Sequence, residues 1–493
     1  MAEQAPAPGT LHLIMSESSS ARAVTRPTIF VVYGATGDLA KRLVMPGFAA
    51  LAGAGLLPER WLLIGNGRGQ KSDGDYRDLV VDGLREFGKD VSEETLEAVG
   101  QGLRFAGGGF TADDPGQLPG VLEKARAELG EDAQLVHYLA LPPSTFAGYT
   151  EAIAAHGLAE GTRVVYEKPY GTSPDSFEEL DRLVLSVFEE EQVFRIDHFL
   201  GKEATQQLHA LRFSNRLFEQ VWNAEHVAQV QIDVPETLGV QDRATFYDAT
   251  GATLDMLVTH MLQVAAEVAM EPPAERSPDA LAAAREEVLA TFRPLAADEV
   301  VLGQGEGYRE LSDVDASSST DTFVAAKLWV DSERWSGVPF VLRTGKKLAE
   351  SHQHVTLVLR PPASRELGFP GSSRPETITF TLSGNGTVFA GVTARRPGVS
   401  DDLVAGRLSL DLADLPDAQP LPPYAALLHD VLLGDRALFT TSAGLRDAWR
   451  VVTPILKARP QLHEYPAGSW GPAAADDLAA PYGWLTQNPP AGR

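Results

Sequence analysis

Ile29-Phe-Val-Val-Tyr-Gly-Ala-Thr-Gly-Asp-Leu-Ala40 decides the fold of this chain. The apolar, β-branched run Ile29–Tyr33 reads as a short buried strand, it stops at Gly34, and a helical pattern through Leu43, Phe48 and Leu51 follows. Strand, tight turn and helix in that order open a βαβ unit, and the amides of such a turn face the positive end of the helix, where a pyrophosphate can sit. The turn itself reads GxxGxxA, a relative of the dinucleotide fingerprint. Alone it specifies a glycine turn with or without a ligand, and the flanking strand and helix are what point to a cofactor. Gly34, Thr36, Gly37, Asp38 and Leu39 are the candidate contacts.

Four more apolar runs continue the pattern: Trp61–Ile64, Leu135–Leu141, Thr162–Tyr166 and Gln192–Ile196, most of them separated by helical stretches. Alternating strand and helix predict a parallel α/β sheet that binds ligands beyond the carboxyl ends of its strands. The unusual residues lie there. Asn66-Gly-Arg68 follows the second strand, Pro142-Pro143 the third, Glu167-Lys-Pro-Tyr-Gly171 the fourth and Asp197-His198 the fifth. A dinucleotide site selective for NAD carries Asp or Glu at the end of the second strand. Here that place is Arg68, whose guanidinium suits a 2′-phosphate, with the Thr36 hydroxyl as a supplement, so the expected cofactor is NADP. A solvated loop arginine is the alternative reading of Arg68.

After about residue 200 the texture changes to longer alternating segments, Val227–Val234, Phe340–Arg343, His354–Leu359 and Thr377–Leu382, which predict an α+β domain with a large antiparallel sheet. Helices are expected over Gly251–Met270 and from Ser277-Pro278, and a surface loop over 360–376.

Composition narrows the function. The 42 Lys+Arg against 67 Asp+Glu leave a net charge of −25, which argues against nucleic acid and anionic membrane as partners, so any anion site is a local basic pocket. The chain has no cysteine, which excludes disulfides, thiolate metal sites and thiol nucleophiles, and fits a reducing cytoplasm. No run of about 18 apolar residues predicts a membrane span. Residues 1–26, rich in Ala, Pro and Ser, read as a disordered tail.

Arg195-Ile-Asp-His-Phe-Leu-Gly-Lys202 carries the chemistry: an apolar approach ends in a carboxylate, an imidazole and an ammonium. Such a cluster just past a strand can orient a general base and hold an anionic substrate.

Together with Gly34-Ala-Thr-Gly-Asp-Leu-Ala-Lys-Arg42, Glu167-Lys-Pro-Tyr-Gly171 and Gly337-Val-Pro-Phe-Val-Leu-Arg-Thr-Gly-Lys346, this motif resembles the glucose-6-phosphate dehydrogenase family, in the family's order and from about Thr28 to Asp477. The resemblance implies an NADP-binding Rossmann-like domain over 27–199 and a substrate-binding and dimerisation domain over 200–493. It also implies oxidation of the sugar at C1 to a lactone without a metal, in a homodimer or homotetramer. By resemblance His260 is the base and Asp197 its orienting carboxylate. His198 and Lys202 are the phosphate ligands, Lys168 bridges substrate and cofactor, Glu236 and Asp255 accept from sugar hydroxyls, and Lys346 is a further substrate-side lysine. On an α-helix Asp255 and His260, five residues apart, would stand about 140° from each other. Two positions depart from the family: Phe199 replaces a tyrosine, and Ser351 stands where a cation is common. They keep open a dehydrogenase for an unphosphorylated or differently substituted hexose; a catalytically silent paralogue is the third possibility.

Overall fold

The computed structural model describes residues 24–485, apart from 241–242, 276, 363–374, 385 and 400–401. The segment 1–23 and most of the expected loop 360–376 therefore lie outside the described residues. Val24 packs against the apolar core and Arg26 donates from Nε to the Asp132 carbonyl at 2.9 Å, so the ordered fold begins before Pro27.

Six strands build the parallel part of the first sheet: β1 (Thr28–Tyr33), β2 (Trp61–Asn66), β3 (Leu103–Ala106), β4 (Gln134–Leu139), β5 (Arg163–Tyr166) and β6 (Val193–Ile196). The second sheet comprises β7 (Val227–Pro235), β8 (Val300–Gly305), β9 (Phe323–Leu328), β10 (Phe340–Gly345), β11 (His354–Leu359), β12 (Thr377–Thr381), β13 (Thr387–Arg395), β14 (Leu403–Asp411) and β16 (Leu462–Tyr465). Between them in the chain, the two-residue β15 (Phe439–Thr440) returns to the first sheet and pairs antiparallel with β6.

Strand order in the first sheet is β15-β6-β5-β4-β1-β2-β3. Every residue of β1 is buried, because helices cover both faces of a parallel sheet. That explains its unbroken apolar run. The unforeseen β3 is four residues long and carries Arg104 in its middle, which hides it from a hydrophobicity scan. Dividing the chain at residue 199 puts β15 in the second unit, whereas its hydrogen bonds place it in the first sheet.

The second sheet, ordered β14-β13-β12-β11-β7-β10-β9-β8-β16, is mixed rather than purely antiparallel, since β7 runs parallel to β10 and β8 parallel to β16. One apolar core joins the two sheets, from Ile29 and Val31 through Leu257 and Leu262 to Val230 and Ile232. Leu257 and Leu262 belong to the helical run that carries His260, so the site's central helix is held by core packing.

Candidate active site

Gly251 breaks that run. It has φ 62°, in the left-handed region that favours glycine, and a Cβ there would lie 2.6 Å from Asp321 Oδ1. The close approach lets Asp321 Oδ2 accept from Thr253 N at 2.8 Å and from Thr253 Oγ1 at 2.9 Å, which fixes the start of the following segment. Thr253–Met261 is wound as a π-helix, and Leu262 N bonds the Leu257 carbonyl five residues back. In i→i+5 winding a residue five positions on is nearly one turn away, so Asp255 and His260 share a face rather than standing 140° apart. This corrects the α-helical expectation and turns both side chains into one cleft.

His260 is 0% and Asp197 1% exposed, and His260 Nδ1 lies 2.6 Å from Asp197 Oδ1. Phe199 N donates to the same oxygen at 2.9 Å, which anchors the carboxylate at the end of β6. His260 Nε2 is buried with no hydrogen-bond partner among the described residues. A neutral imidazole that donates from Nδ1 carries its lone pair on Nε2, so this atom is ready to take a proton. Burial pushes His260 well below its ordinary value and raises Asp197 to about 6.

Around this pair stand the other expected residues. The His198 ring lies 4.5 Å from that of His260, and the Phe199 ring stacks on His260 at 4.6 Å. Lys202 Nζ is 3.4 Å from the Phe199 ring centroid and donates to Gln353 Oε1; burial lowers its pKa to about 7. Lys168, whose peptide bond to Pro169 is cis, donates to Asp255 Oδ1 at 2.7 Å. Burial alone would raise the Asp255 carboxyl, but the ammonium of Lys168 outweighs it and holds the group below the usual range. Lys346 pairs with Glu236. These ion pairs place donors and acceptors side by side, where the hydroxyls of a ligand can exchange with them.

Asp197, His198 and His260 offer ligating atoms within 4.8 Å of one another, a set that could hold a transition metal. The ammonium groups of Lys168 and Lys202 both bear on His260, and their positive charge opposes a cation there. The arrangement suits an anionic substrate better.

At the carboxyl end of β1 Gly34 has φ 75°, and a Cβ on it would lie 2.4 Å from the Ala140 carbonyl, so the turn closes against the end of β4 only as glycine. At Gly37 an added Cβ would meet nothing closer than the Gly34 carbonyl at 3.1 Å. The segment then enters its helix at Asp38, where the first amides have no partner within the helix. This backbone fits a pyrophosphate. The Asp38 side chain, by contrast, pairs with Arg42 at 2.6 Å on the surface, so its amide alone remains for a ligand. At the end of β2, Asn66 Nδ2 donates to the carbonyls of Ala106 at 3.0 Å and Gly109 at 3.2 Å, tying the glycine run after β3 beneath Arg68. Arg68 is exposed and makes no ion pair among the described residues. Gly107–Gly109 and Gln353 were not foreseen from the sequence. Three consecutive glycines after an apolar pair were the available signal for the first, and Gln353 offered none.

A dinucleotide turn, a buried carboxylate–imidazole pair and lysines gathered beside it define a nicotinamide-dependent dehydrogenase. Family models agree, the glucose-6-phosphate dehydrogenase NAD binding domain matching residues 31–207 and the C-terminal domain of the same family matching 209–485. A "Glucose-6-phosphate 1-dehydrogenase 2" of Mycobacterium bovis is 36% identical over 481 residues, covering 92% of this chain and 93% of its own. The Mycolicibacterium smegmatis glucose-6-phosphate 1-dehydrogenase is 36% identical over 476 residues, with 92% and 96% covered. A crystal structure of the Mycobacterium avium enzyme superimposes with a TM-score of 0.83 at 30% identity, covering 94% of this chain and all but 1% of its own (99%). A glucose-6-phosphate dehydrogenase solved in complex with its substrate glucose 6-phosphate gives 0.85 at 27% identity, with 95% and 100% covered. The chain belongs to the glucose-6-phosphate dehydrogenase family.

Proposed function

We propose that the protein oxidises D-glucose 6-phosphate at C1 to 6-phospho-D-glucono-1,5-lactone with NADP, the first step of the oxidative pentose phosphate pathway. The observation that carries the reading is His260: its Nδ1 is fixed by Asp197 while its Nε2 is buried with no partner among the described residues. In the reaction the C1 hydroxyl loses its proton to Nε2, the C1–H bond breaks with its electron pair, and the C1 carbonyl forms. A bound NADP would supply the acceptor for that hydride. Asp197 keeps the tautomer and stabilises the imidazolium as it forms. Glu236 and Asp255 accept from sugar hydroxyls, Lys346 and Lys168 balance their charge, and Lys168 reaches toward the cofactor as well. His198 and Lys202 hold the 6-phosphate, Lys202 as a charge-assisted donor.

Gly34, Thr36, Gly37, Asp38 and Leu39 supply the turn that receives the pyrophosphate, and Arg68 takes the 2′-phosphate. Support for NADP over NAD is the absence of any acidic residue in Ile64-Gly-Asn-Gly-Arg68 and a guanidinium with no competing ion pair among the described residues. The same proposal includes self-association as a homodimer or homotetramer in the cytoplasm. At the edge of the second sheet β14 leaves Leu408 64% and Leu410 38% exposed, apolar surface suited to a second copy. No helix among the described residues is long and apolar enough to cross a membrane.

A substrate panel tests the reading, following absorbance of the reduced nicotinamide with glucose 6-phosphate, free glucose and other hexose phosphates, each with NADP and with NAD. The expected result is the highest kcat/KM for glucose 6-phosphate with NADP. Equal kcat/KM on free glucose overturns the phosphate assignment, and binding of NADP without turnover of any sugar overturns the activity.

A further inference from the structure

The phosphate end of the site lacks two contacts, and the structure shows what those positions do instead. Phe199 offers Lys202 only the face of its ring. Ser351 is turned to the neighbouring strand end, where its Oγ accepts from Thr237 N at 2.7 Å and lies 2.9 Å from Thr237 Oγ1, bracing the residue after Glu236. Two positions further on, Gln353 enters β11 half-buried, and its side-chain oxygen accepts from Lys202 Nζ. An ammonium has donors and no acceptor, so the amide atom that faces it is the oxygen. The amide nitrogen makes no hydrogen bond among the described residues and is left to donate elsewhere.

We propose that Gln353 is a specificity-determining residue for the substrate's 6-phosphate: its oxygen holds the Lys202 ammonium in place and its amide N–H groups donate to a phosphate oxygen. A neutral donor suits this place for a physical reason. Burial has already lowered the Lys202 pKa to about 7, and a second cation beside it would lower it further, whereas an amide carbonyl favours the charged form. The phosphate end thus combines one charge with one neutral donor, in place of the missing phenol and the missing cation. The inference rests on the proposal that Lys202 binds the phosphate.

The test compares Gln353→Leu, Gln353→Glu and Lys202→Ala in the full chain, measuring kcat and KM for glucose 6-phosphate and NADP, and kcat/KM on free glucose. Gln353→Leu should raise KM for glucose 6-phosphate about tenfold with kcat held within about threefold, since a hydrogen bond to a charged group is lost. KM for NADP and kcat/KM on free glucose should not move. Gln353→Glu should raise the same KM further, because a carboxylate repels the phosphate while still holding the lysine. An unchanged KM in both variants overturns the proposal, and so does an equal loss on both sugars, which marks a merely structural role. If Lys202→Ala raises KM and the Gln353 variants do not, the role of Gln353 alone fails. If Lys202→Ala also leaves KM unchanged, the phosphate lies elsewhere and the Lys202 assignment fails with it.

Discussion

Asp197→Asn tests the proton-handling pair most directly. The amide has nearly the volume of the carboxylate, so the contacts at the end of β6 can persist while the charge is lost. In the transition state His260 gains a positive charge, with its Nδ1 2.6 Å from Asp197 Oδ1. Two unit charges at that separation interact by about 6 kcal/mol at an effective dielectric of about 20. The amide oxygen still attracts the Nδ1–H as a dipole and recovers part of this, leaving a loss of roughly 4–5 kcal/mol, or about three powers of ten in kcat. The proposed substrate and cofactor contacts fall on other residues, so both KM values should stay within a few-fold. The assay is initial-rate formation of reduced nicotinamide at saturating glucose 6-phosphate, with thermal unfolding as a check on the fold. A variant that keeps kcat within tenfold of the parent would refute the electrostatic role of Asp197. A variant whose loss appears wholly in KM would show that Asp197 binds the sugar instead of supporting the base.

The pH profile follows from the same pair: Asp197 is ionised above about 6 while His260 stays neutral, so kcat/KM should be flat from pH 7 down to about 6 and fall below it as the carboxylate protonates. An acid limb centred above 7 contradicts this assignment. Arg68→Ala should reduce the preference for NADP over NAD by about ten- to hundredfold through loss of a charge-assisted contact, measured as the ratio of kcat/KM values; an intact ratio removes Arg68 from that role. Arg285 donates from Nε to buried Glu267 at 2.5 Å and from Nη1 to the Phe439 carbonyl at 3.0 Å. Arg285→Met should therefore cost about 3 kcal/mol by leaving the buried Glu267 carboxylate with His209 as its remaining partner, read as a lower denaturation midpoint, and the further change Glu267→Leu should restore much of it.

The first sheet was largely legible because each of its main strands is an apolar run ended by glycine, proline or a charged group, which also marked the carboxyl edge where ligands bind. Periodicity could not show that β7 and β10 run parallel, since direction within a sheet leaves no trace in the alternation of side chains. The π-winding of Thr253–Met261 was equally hidden: only Gly251 departs from an ordinary helical sequence, and what widens the turns is tertiary, beginning with Asp321 from 68 residues downstream. Among site residues, Asp197, His198 and Lys202 were visible as a local cluster. His260 looked like one polar residue on an apolar helix until the resemblance singled it out. Gln353 lies 151 residues from Lys202 along the chain, and no local pattern announces that the two meet.

The return of Phe439–Thr440 to the first sheet bears on how the molecule is made. A chain synthesised from its amino terminus presents β6, with Asp197 one residue beyond Ile196, the last position that pairs with β15, long before that outer neighbour exists. Some 240 residues later β15 arrives, with Arg285 bound to the Phe439 carbonyl from a different helix. Closing such a long loop is slow compared with local contacts, so the edge of β6 stays open during most of synthesis. The amino-terminal half is consequently no transplantable cassette: cut after the helix Glu203–Ser214, it would keep β6 paired with β5 but leave its outer edge open beside Asp197.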